Sequence, residues 1–249
     1  MEYIAWLLVP LALLVSLQYL LGPIMVYINQ KIPGRYRFDL MDSEEFLSAR
    51  GPVFQLLHDQ IQEQGFRYVG SSELRMSHSV IYFSIYYSYS RKLACTLMTA
   101  HADHDNPVTQ IEFTQMYSDG TLLNVNNNAV FGVYPEWDIK EAYRFPHVND
   151  VSELLEMTEK IIRIRKPKAE ALAMVEGKEF ETIENHLNDE MDRLVRLGWV
   201  SSRSHDNEHK LTLKGAVLMT WKMCWPIKFI LNKFDARRSV NVLKNATRP

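Results

Sequence analysis

The chain has 249 residues, of which 47% are hydrophobic, and its formal net charge is −2. This length is sufficient for one or two small domains with hydrophobic cores. The two cysteines, Cys95 and Cys224, are too few and too far apart in sequence for a disulfide framework, so composition excludes a small disulfide-stapled fold and requires no oxidising compartment.

The small net charge hides an uneven distribution along the chain. Residues 222–249 carry seven basic side chains and only Asp235 as an acidic one, and residues 1–37 have a net charge of +2. Residues 38–221 therefore have a net charge of −10. Basic ends around an acidic body predict a protein whose ends bind the anionic lipid headgroups of a membrane.

Residues 1–30 contain no charged side chain between Tyr3 and Gln30. About 20 mostly apolar residues are enough to cross a bilayer, so we expect a transmembrane anchor here. A cleaved signal peptide would need a basic start and a small-residue cleavage site, and a buried core helix would show an amphipathic period. The basic residues of the juxtamembrane linker 31–42 predict a single-pass membrane protein whose body faces the cytoplasm.

Residues 43–166 have the pattern of an α+β domain. Asp42 and Ser43 are expected to cap a first helix, and Pro52 is expected to open a second, amphipathic helix that ends near Gly65. Asn149 and Asp150 are expected to cap a third helix that ends near Lys166 and covers the open face of a sheet.

Between these helices, alternating apolar and polar residues from Phe66 to about Tyr134 predict an antiparallel β-meander of roughly five strands. The pair Asp119-Gly120 predicts a two-residue type I′ turn. Such a turn would place Tyr117 opposite Leu122 and Gln115 opposite Asn124.

Residues 167–214 are predicted to form a smaller unit that begins with a helix over about Phe180–Leu197. The run from Met191 to Ala216, with Gly198-Trp199-Val200, a polar loop and Leu211-Thr212-Leu213-Lys214-Gly215, resembles the second half of a winged-helix domain of the MarR type. The resemblance implies that the helix binds the DNA major groove and that the loop is the wing. Because that helix is rich in carboxylates, we expect a shape used for packing or protein contact, not for binding nucleic acid.

Residues 215–233 are predicted to form an amphipathic helix that lies in the plane of the lipid headgroups, followed by a basic tail over 234–249. A helix docked on its own domain and a second membrane span are the alternatives. The expected membrane contacts are Trp221, Lys222, Trp225, Lys228, Lys233, Arg237 and Arg238.

The densest group of residue types that bind metals is His101, Asp103, His104 and Asp105. It resembles part of the metallo-β-lactamase signature H-x-H-x-D-H, in which His and Asp ligands hold zinc, with Thr99 where the first histidine of that signature stands. The resemblance implies a zinc-dependent hydrolase. The alternative is a polar loop between strands, because Asp105, Asn106 and Pro107 are common turn residues, and we predict no cofactor on that basis.

A second polar group, formed by Asn124, Asn126, Asn127 and Asn128, either binds a polar ligand or ends a strand. Phosphate-binding glycine loops, C-x-x-C pairs and H-E-x-x-H helices do not occur in the sequence. We therefore expect a membrane-anchored, cytoplasm-facing interaction protein with a protein partner, and not an enzyme. A metal-dependent hydrolase and a membrane-tethered DNA-binding regulator are the alternative functions.

Overall fold

The computed structural model describes residues 2–76, 79–102, 108–129, 132, 140–166, 169–205 and 208–246, and these residues form an α+β fold. The helices are α1 (Glu2–Asn29), α2 (Ser43–Ser48), α3 (Pro52–Glu63), α4 (Val151–Arg165), α5 (Glu179–Arg196), α6 (Leu213–Met223) and α7 (Ile227–Ala246). The strands are β1 (Lys31–Pro33), β2 (Arg67–Met76), β3 (Ser79–Ser88), β4 (Leu93–Ala102), β5 (Val108–Met116), β6 (Leu122–Asn126), β7 (Lys140–Arg144), β8 (Val200–His205) and β9 (Glu208–Leu211).

The described residues divide into two compact units. Unit 1 takes its residues from 1–37, 131–135 and 183–233, and unit 2 takes its residues from 38–130, 136–182 and 234–249. Over the part of the chain that is described, none of the helices combines the length and the apolar character needed to cross a membrane.

Unit 2 is built on a six-stranded sheet in the order β2-β3-β4-β5-β6-β7. The first five strands form an antiparallel meander, which confirms the predicted sheet, and β7 adds in parallel to β6. The sequence did not predict β7, because its residues Lys-Glu-Ala-Tyr-Arg lack the alternation of apolar and polar side chains that indicates a strand.

The turn between β5 and β6 differs from the predicted type I′ turn by one residue. Gln115 pairs with Leu123, and the amide of Tyr117 donates to the carbonyl of Thr121 at 2.9 Å, so the loop has three residues. Only Gly120 has a positive φ, of 77°, and the Asp119 carboxylate accepts from the amide of Thr121 at 2.9 Å. The predicted pairings of Tyr117 with Leu122 and of Gln115 with Asn124 are therefore wrong, because a three-residue loop needs a single left-handed position.

One row of fully buried side chains crosses five strands of this sheet. Tyr86, Cys95, Phe113, Val125 and Tyr143 are neighbours in register from β3 to β7, and each is at most 1% exposed. Helices α3 and α4 cover this face with the apolar side chains Phe54, Leu57, Ile61, Val151, Leu154, Leu155 and Ile161. Burial of each large side chain contributes about 1.5–3 kcal/mol, so this face is the main core of unit 2.

The predicted helix starts of unit 2 are confirmed at the level of single hydrogen bonds. The Asp42 carboxylate accepts from the amide of Glu45 at the start of α2, and the Asp150 carboxylate accepts from the amide of Glu153 at the start of α4. Pro52 is the first residue of α3, where its missing N–H leaves no hydrogen bond unmade. Helix α4 packs against α3, β5 and β6, as predicted for the helix that covers the sheet.

The free edge of the sheet is covered by the second half of α7. The amide of Arg144 on β7 donates to the Ser239 hydroxyl at 2.9 Å, and its guanidinium contacts the Asp235 carboxylate at 2.6 Å. The side chains of Arg144 and Asp235 are only 11% and 5% exposed. A polar edge strand is thereby closed by a buried ion pair and is not left open to other strands.

The buried imidazole of His58 lies inside the same core. Its Nδ1 is 2.8 Å from the Tyr86 hydroxyl, and its Nε2 is 2.7 Å from the Gln62 amide nitrogen. Because the amide nitrogen is a donor, Nε2 accepts and Nδ1–H donates to Tyr86. Both contacts therefore use the neutral ring, and burial lowers the pKa of His58 below its usual 6.5.

Unit 1 contains a three-stranded sheet in the order β1-β9-β8, helix α5 and helix α6. Lys31 on β1 forms an ion pair of 2.6 Å with Glu208 on β9. The Asn188 side chain on α5 accepts from the amide of Tyr36 at 2.8 Å and donates to its carbonyl at 3.1 Å. Residues 31–37 are thus held against the C-terminal part of the sequence by strand pairing and by a two-way amide contact.

The single helix predicted over residues 215–233 is divided in the structure into α6 and the first part of α7. Thr212 caps α6 by accepting from the amide of Gly215 at 3.0 Å. Helix α6 ends at Met223, and α7 begins at Ile227. Pro226 explains the break, since proline has no N–H to donate and restricts the residue before it.

Replacing Asp235 with alanine tests the buried edge contact. We expect Asp235→Ala to lower the free energy of unfolding by about 3 kcal/mol, because the change removes the buried carboxylate that faces the Arg144 guanidinium. Urea denaturation of the full chain in mild detergent, followed by circular dichroism, measures this loss. Glu156→Ala is the matched control: it removes the exposed pair between Glu156 and Lys160 and should change the unfolding midpoint little. Equal effects of the two substitutions would contradict this account of the edge.

The neutral state of His58 predicts a dependence of stability on pH. Because the pKa of His58 is lower in the folded chain than in the unfolded chain, the unfolded state binds more protons below pH 6.5. The stabilisation is complete above pH 6.5 and is lost as the pH falls from 6.5 toward the folded-state pKa. We expect His58→Gln to flatten the slope of the unfolding free energy between pH 7.5 and pH 5.5. A slope identical to that of the wild-type chain would contradict the assignment.

Candidate functional site

The four asparagines that the sequence predicts as ligand-binding residues lie on and after β6. Asn124 and Asn126 are buried, with the Asn126 amide donating to Asn124 at 2.6 Å and the Asn124 amide donating to the Thr114 hydroxyl at 3.1 Å. The Asn126 side-chain oxygen accepts from the amide of Asn128 at 3.1 Å. These side chains are paired with one another and with Thr114 on the sheet.

Asn127 has a different position from its neighbours. Its side-chain oxygen accepts from the amide of Ile111 at 2.8 Å, while its side-chain nitrogen has no partner among the described residues. Asn127 also lines a cavity in unit 2. Among the four asparagines, Asn127 therefore lines a cavity and has a side-chain N–H group that is free to bind a ligand.

This cavity has a volume of about 440 Å³ and lies where the start of α3 meets the ends of β4 and β5. The volume is within the range of small-molecule sites in proteins. The lining residues are Ala49, Arg50, Gly51, Pro52, Val53, Phe54, Leu56, Leu57, Thr99, Thr109, Ile111, Asn127 and Asn149. We call this feature the Arg50 cavity.

The Arg50 guanidinium is held in place by two aromatic rings. It lies 4.4 Å from the centre of the Phe46 ring and 4.1 Å from the centre of the Tyr82 ring. Its Nε donates to the Phe46 carbonyl at 3.3 Å, and neither terminal nitrogen has a partner among the described residues. Cation–π contacts therefore fix a positive charge whose outer donors remain available.

The other polar groups in the Arg50 cavity also favour negative charge. No Asp or Glu occurs among the described residues that line it. Gly51 caps the 12-residue helix α3 without a side-chain hydrogen bond, so the first amides of the helix face this region without a covalently attached acceptor. A positively charged side chain, the positive end of a helix dipole and the free amide of Asn127 together make an anion the complementary ligand.

Sequence analysis did not identify Arg50 as a site residue. In the sequence it is a single basic residue before Gly51-Pro52, and that dipeptide indicated only a break between two helices. Its aromatic partners come from α2 and from β3, and only the fold brings them together. The available signal was the position of an arginine immediately before the N-terminus of an amphipathic helix.

The predicted metal ligands fall largely outside the described part of the chain. Asp103, His104 and Asp105 are outside the described residues, and the side chain of His101 is likewise not described. Elsewhere, over the described ranges, no group of three or more His, Cys, Asp or Glu residues could hold a metal ion. The zinc hypothesis therefore remains a sequence prediction.

The predicted membrane-contact residues lie on α6 and α7. Trp221 and Trp225 are each 55% exposed. Lys233 lies 5.9 Å from the centre of the Phe229 ring, Arg237 is exposed, and the Arg238 guanidinium is 5.7 Å from the centre of the Tyr143 ring. Lys222 and Lys228 are half-buried.

Helix α6 packs against α1 within unit 1. A Cβ atom on Gly22 would lie 2.6 Å from the Thr220 methyl carbon, so the two helices approach closely at this glycine. The Tyr19 ring makes an edge contact with Trp221 at 5.8 Å, and the Tyr19 hydroxyl donates to the Cys224 carbonyl at 3.2 Å. Gln18 also donates to the Trp225 carbonyl.

Outside this contact, α1 has many exposed apolar side chains. The exposed fraction of each is between 46% and 69%, and the residues are Leu13, Leu14, Leu17, Leu20, Leu21, Ile24, Met25, Tyr27 and Ile28. We call this set the α1 surface. It is larger than the scattered apolar exposure that is normal for a soluble protein surface, which indicates an interaction site.

Comparison of the chain with protein-family models, with curated proteins and with solved structures finds no match.

The close approach of α1 and α6 can be tested with a pair of substitutions. We expect Gly22→Ala to lower the unfolding free energy by about 1–3 kcal/mol, because the added methyl group overlaps that of Thr220. The Thr220 hydroxyl donates to the Ala216 carbonyl at 2.9 Å and thereby fixes this rotamer. Thermal unfolding of the full chain in detergent, followed by tryptophan fluorescence, measures the loss.

Thr220→Ala provides the control, since it removes the overlapping methyl group. We expect the double substitution to recover most of the stability lost in Gly22→Ala, which gives a favourable coupling energy between the two positions. Strictly additive effects would show that the two helices do not approach each other at Gly22.

Proposed function

We propose that this protein is a membrane-anchored binding protein, held in the bilayer by α1, with its body in the cytoplasm and a ligand or partner site in unit 2. The observation that carries the proposal is the α1 surface. Nine large apolar side chains are at least 46% exposed over sixteen residues of a helix that carries no charge from Tyr3 to its last residue.

The exposed side chains of the α1 surface form one broad apolar face. At about 100° per residue, residues 13, 14, 17, 20, 21, 24, 25, 27 and 28 fall within about 160° of the helix circumference, and Gln18, Tyr19 and Gly22, which contact α6, lie on the other side. Because the covered side carries no charged residue either, α1 is uncharged on all sides, as expected for a helix surrounded by hydrocarbon.

Charges beside α1 support the cytoplasmic orientation. Lys31, Arg35 and Arg37 follow the helix directly, and basic residues next to an apolar segment are enriched on the cytoplasmic side. Lys31 and Arg35 pair with Glu208 and Asp192 of unit 1 at 2.6 and 3.2 Å, so this end of α1 is tied to folded protein. Exposed Arg237 on α7 is consistent with the basic tail that was predicted to bind anionic headgroups.

The Arg50 cavity supports a binding role for unit 2. Among the described residues that line the cavity there is no His, Cys, Asp or Glu, so none of these can act as a general base for the Thr99 and Thr109 hydroxyls, which are 3.4 Å apart. Hydroxyls without a base are weak nucleophiles, whereas an apolar cavity with a few oriented donors is typical of ligand binding.

The membrane proposal predicts how the protein behaves when membranes are extracted with alkaline carbonate. We expect the full chain to stay with the membranes and to need detergent for release. Leu17→Glu with Ile24→Glu should move it to the soluble fraction, because a charged side chain near the centre of an inserted helix costs about 2.5–3.5 kcal/mol. Immunoblotting of pellet and supernatant measures the distribution.

The matched control is Leu172→Glu with Val175→Glu in unit 2. Leu172 and Val175 are 50% and 62% exposed, similar to 53% for Leu17 and 51% for Ile24, so the control adds the same charge at apolar positions of equal exposure. We expect it to remain with the membranes. Release of the wild-type chain by carbonate alone would contradict anchoring by α1.

A further inference from the structure

We propose that the Arg50 cavity binds a single-chain amphiphilic carboxylate, with the carboxylate on the Arg50 guanidinium and the hydrocarbon chain along the wall formed by α3. This inference rests on the proposed binding role of unit 2 and names the chemical class of its ligand.

The head of the ligand is defined by the free donors of the cavity. The terminal nitrogens of Arg50 lack partners among the described residues, while the rings of Phe46 and Tyr82 hold the guanidinium in place. A guanidinium binds a carboxylate through two parallel hydrogen bonds, and little conformational entropy is lost when the arginine is already held. The free amide of Asn127 supplies a further donor from the opposite, sheet side of the cavity.

The charge of the cavity lining favours a ligand with a single negative charge. Within the part of the chain that the structure describes, Arg50 is the one charged residue that lines the cavity. A carboxylate neutralises one guanidinium, whereas a phosphate monoester, which carries up to two negative charges, would leave a negative charge that no described lining residue neutralises. A neutral ligand would leave the guanidinium donors without an acceptor.

The tail of the ligand is defined by the apolar part of the lining. Val53, Phe54, Leu56 and Leu57 follow one another on α3, and Ile111 faces them from β5. Val53 and Leu56 are 62% and 58% exposed, so apolar surface that unit 2 leaves in water lies at the rim of the cavity. An apolar chain placed there would remove this surface from water at about 25 cal/mol per Å².

The size of the cavity fits one chain. A volume of about 440 Å³ lies at the lower end of the usual range for small-molecule sites. It suits a single hydrocarbon chain of medium length better than a two-chain lipid. A membrane-anchored protein would meet such molecules at the bilayer surface, where amphiphilic carboxylates concentrate.

Isothermal titration of the full chain with dodecanoate tests this inference. The chain is held in nanodiscs of zwitterionic phospholipid, and empty nanodiscs give the background of lipid partitioning. We expect saturable binding of one dodecanoate per chain. Dodecanol should bind at least roughly tenfold more weakly, since it lacks the carboxylate and a charge-assisted hydrogen bond contributes about 1.5–3 kcal/mol. Dodecyl phosphate should also bind more weakly, because its second charge has no cationic partner among the described lining residues.

Two variants test whether dodecanoate binds in the Arg50 cavity. Arg50→Gln removes the charge and should weaken dodecanoate binding roughly tenfold or more, without changing the affinity for dodecanol. Val53→Trp is an independent variant at an exposed rim position, where the larger ring should fill the cavity and reduce binding of both compounds. Circular dichroism confirms that each variant is folded.

The matched control is Arg163→Gln, which removes one exposed arginine near the C-terminal end of α4. Arg163 is about 18 Å along the helix axis from Val151 at the start of α4, next to the lining residue Asn149. We expect wild-type affinity for dodecanoate in this variant.

Three results would overturn the inference: no saturable binding of dodecanoate, equal affinity for dodecanol, or unchanged dodecanoate affinity in folded Arg50→Gln. A preference for dodecyl phosphate would assign the cavity to phosphorylated ligands instead. The comparison of variants in the same nanodiscs cancels any binding of dodecanoate to lipid, and a chain that does not insert is titrated without nanodiscs, so these outcomes do not depend on membrane anchoring. Carbonate extraction tests the anchor separately.

Discussion

The row of buried side chains that crosses the sheet of unit 2 determines where the other features of this unit can lie. Tyr86, Cys95, Phe113, Val125 and Tyr143 form a continuous apolar strip that must be covered, and α3 and α4 cover it. Helix α3 reaches the end of the sheet with its N-terminus, where the face changes from apolar side chains to Thr99 and Thr109. The Arg50 cavity lies at this point, between the first turns of α3 and the polar end of the sheet.

Most buried polar groups of unit 2 are paired with neighbours, and this sets the cavity apart. Asn124, Asn126 and Thr114 form one chain of hydrogen bonds, His58 is held between Tyr86 and Gln62, and Arg144 faces Asp235 and Ser239. Each of these groups has its desolvation offset by a fixed partner, so each stabilises the fold and offers little to a ligand. The terminal donors of Arg50 and the amide of Asn127 lack such partners among the described residues. These unpaired donors distinguish the Arg50 cavity from the paired polar groups elsewhere in unit 2.

Local signals in the sequence predicted the elements of unit 2, while the cavity depends on contacts between distant residues. Asp42, Pro52 and Asp150 start helices through bonds or constraints within four residues, and alternation predicted the five antiparallel strands, so both could be predicted. The loop after β5 was predicted one residue too short, because the sequence does not show whether one or two positions adopt a positive φ, and the Asp119 carboxylate decides this by binding the amide of Thr121. Arg50 meets Tyr82 across 32 positions of sequence, and Thr99, Thr109 and Asn127 reach the same cavity only after the strands have paired. No local pattern carries that information.

Helix α1 presents the opposite case, because its apolar character is visible in the sequence and its exposure in the structure. The sequence shows an uncharged segment, and in the structure α6 packs on the side of α1 that carries Gln18, Tyr19 and Gly22. Contact with one helix covers one side of α1, and the opposite side carries nine large apolar side chains that are between 46% and 69% exposed. In water this area would be unfavourable by about 25 cal/mol per Å². The α1 surface is therefore explained by an apolar covering, and the proposed membrane anchor would supply it, since the covered side of α1 carries no charge that would have to face hydrocarbon.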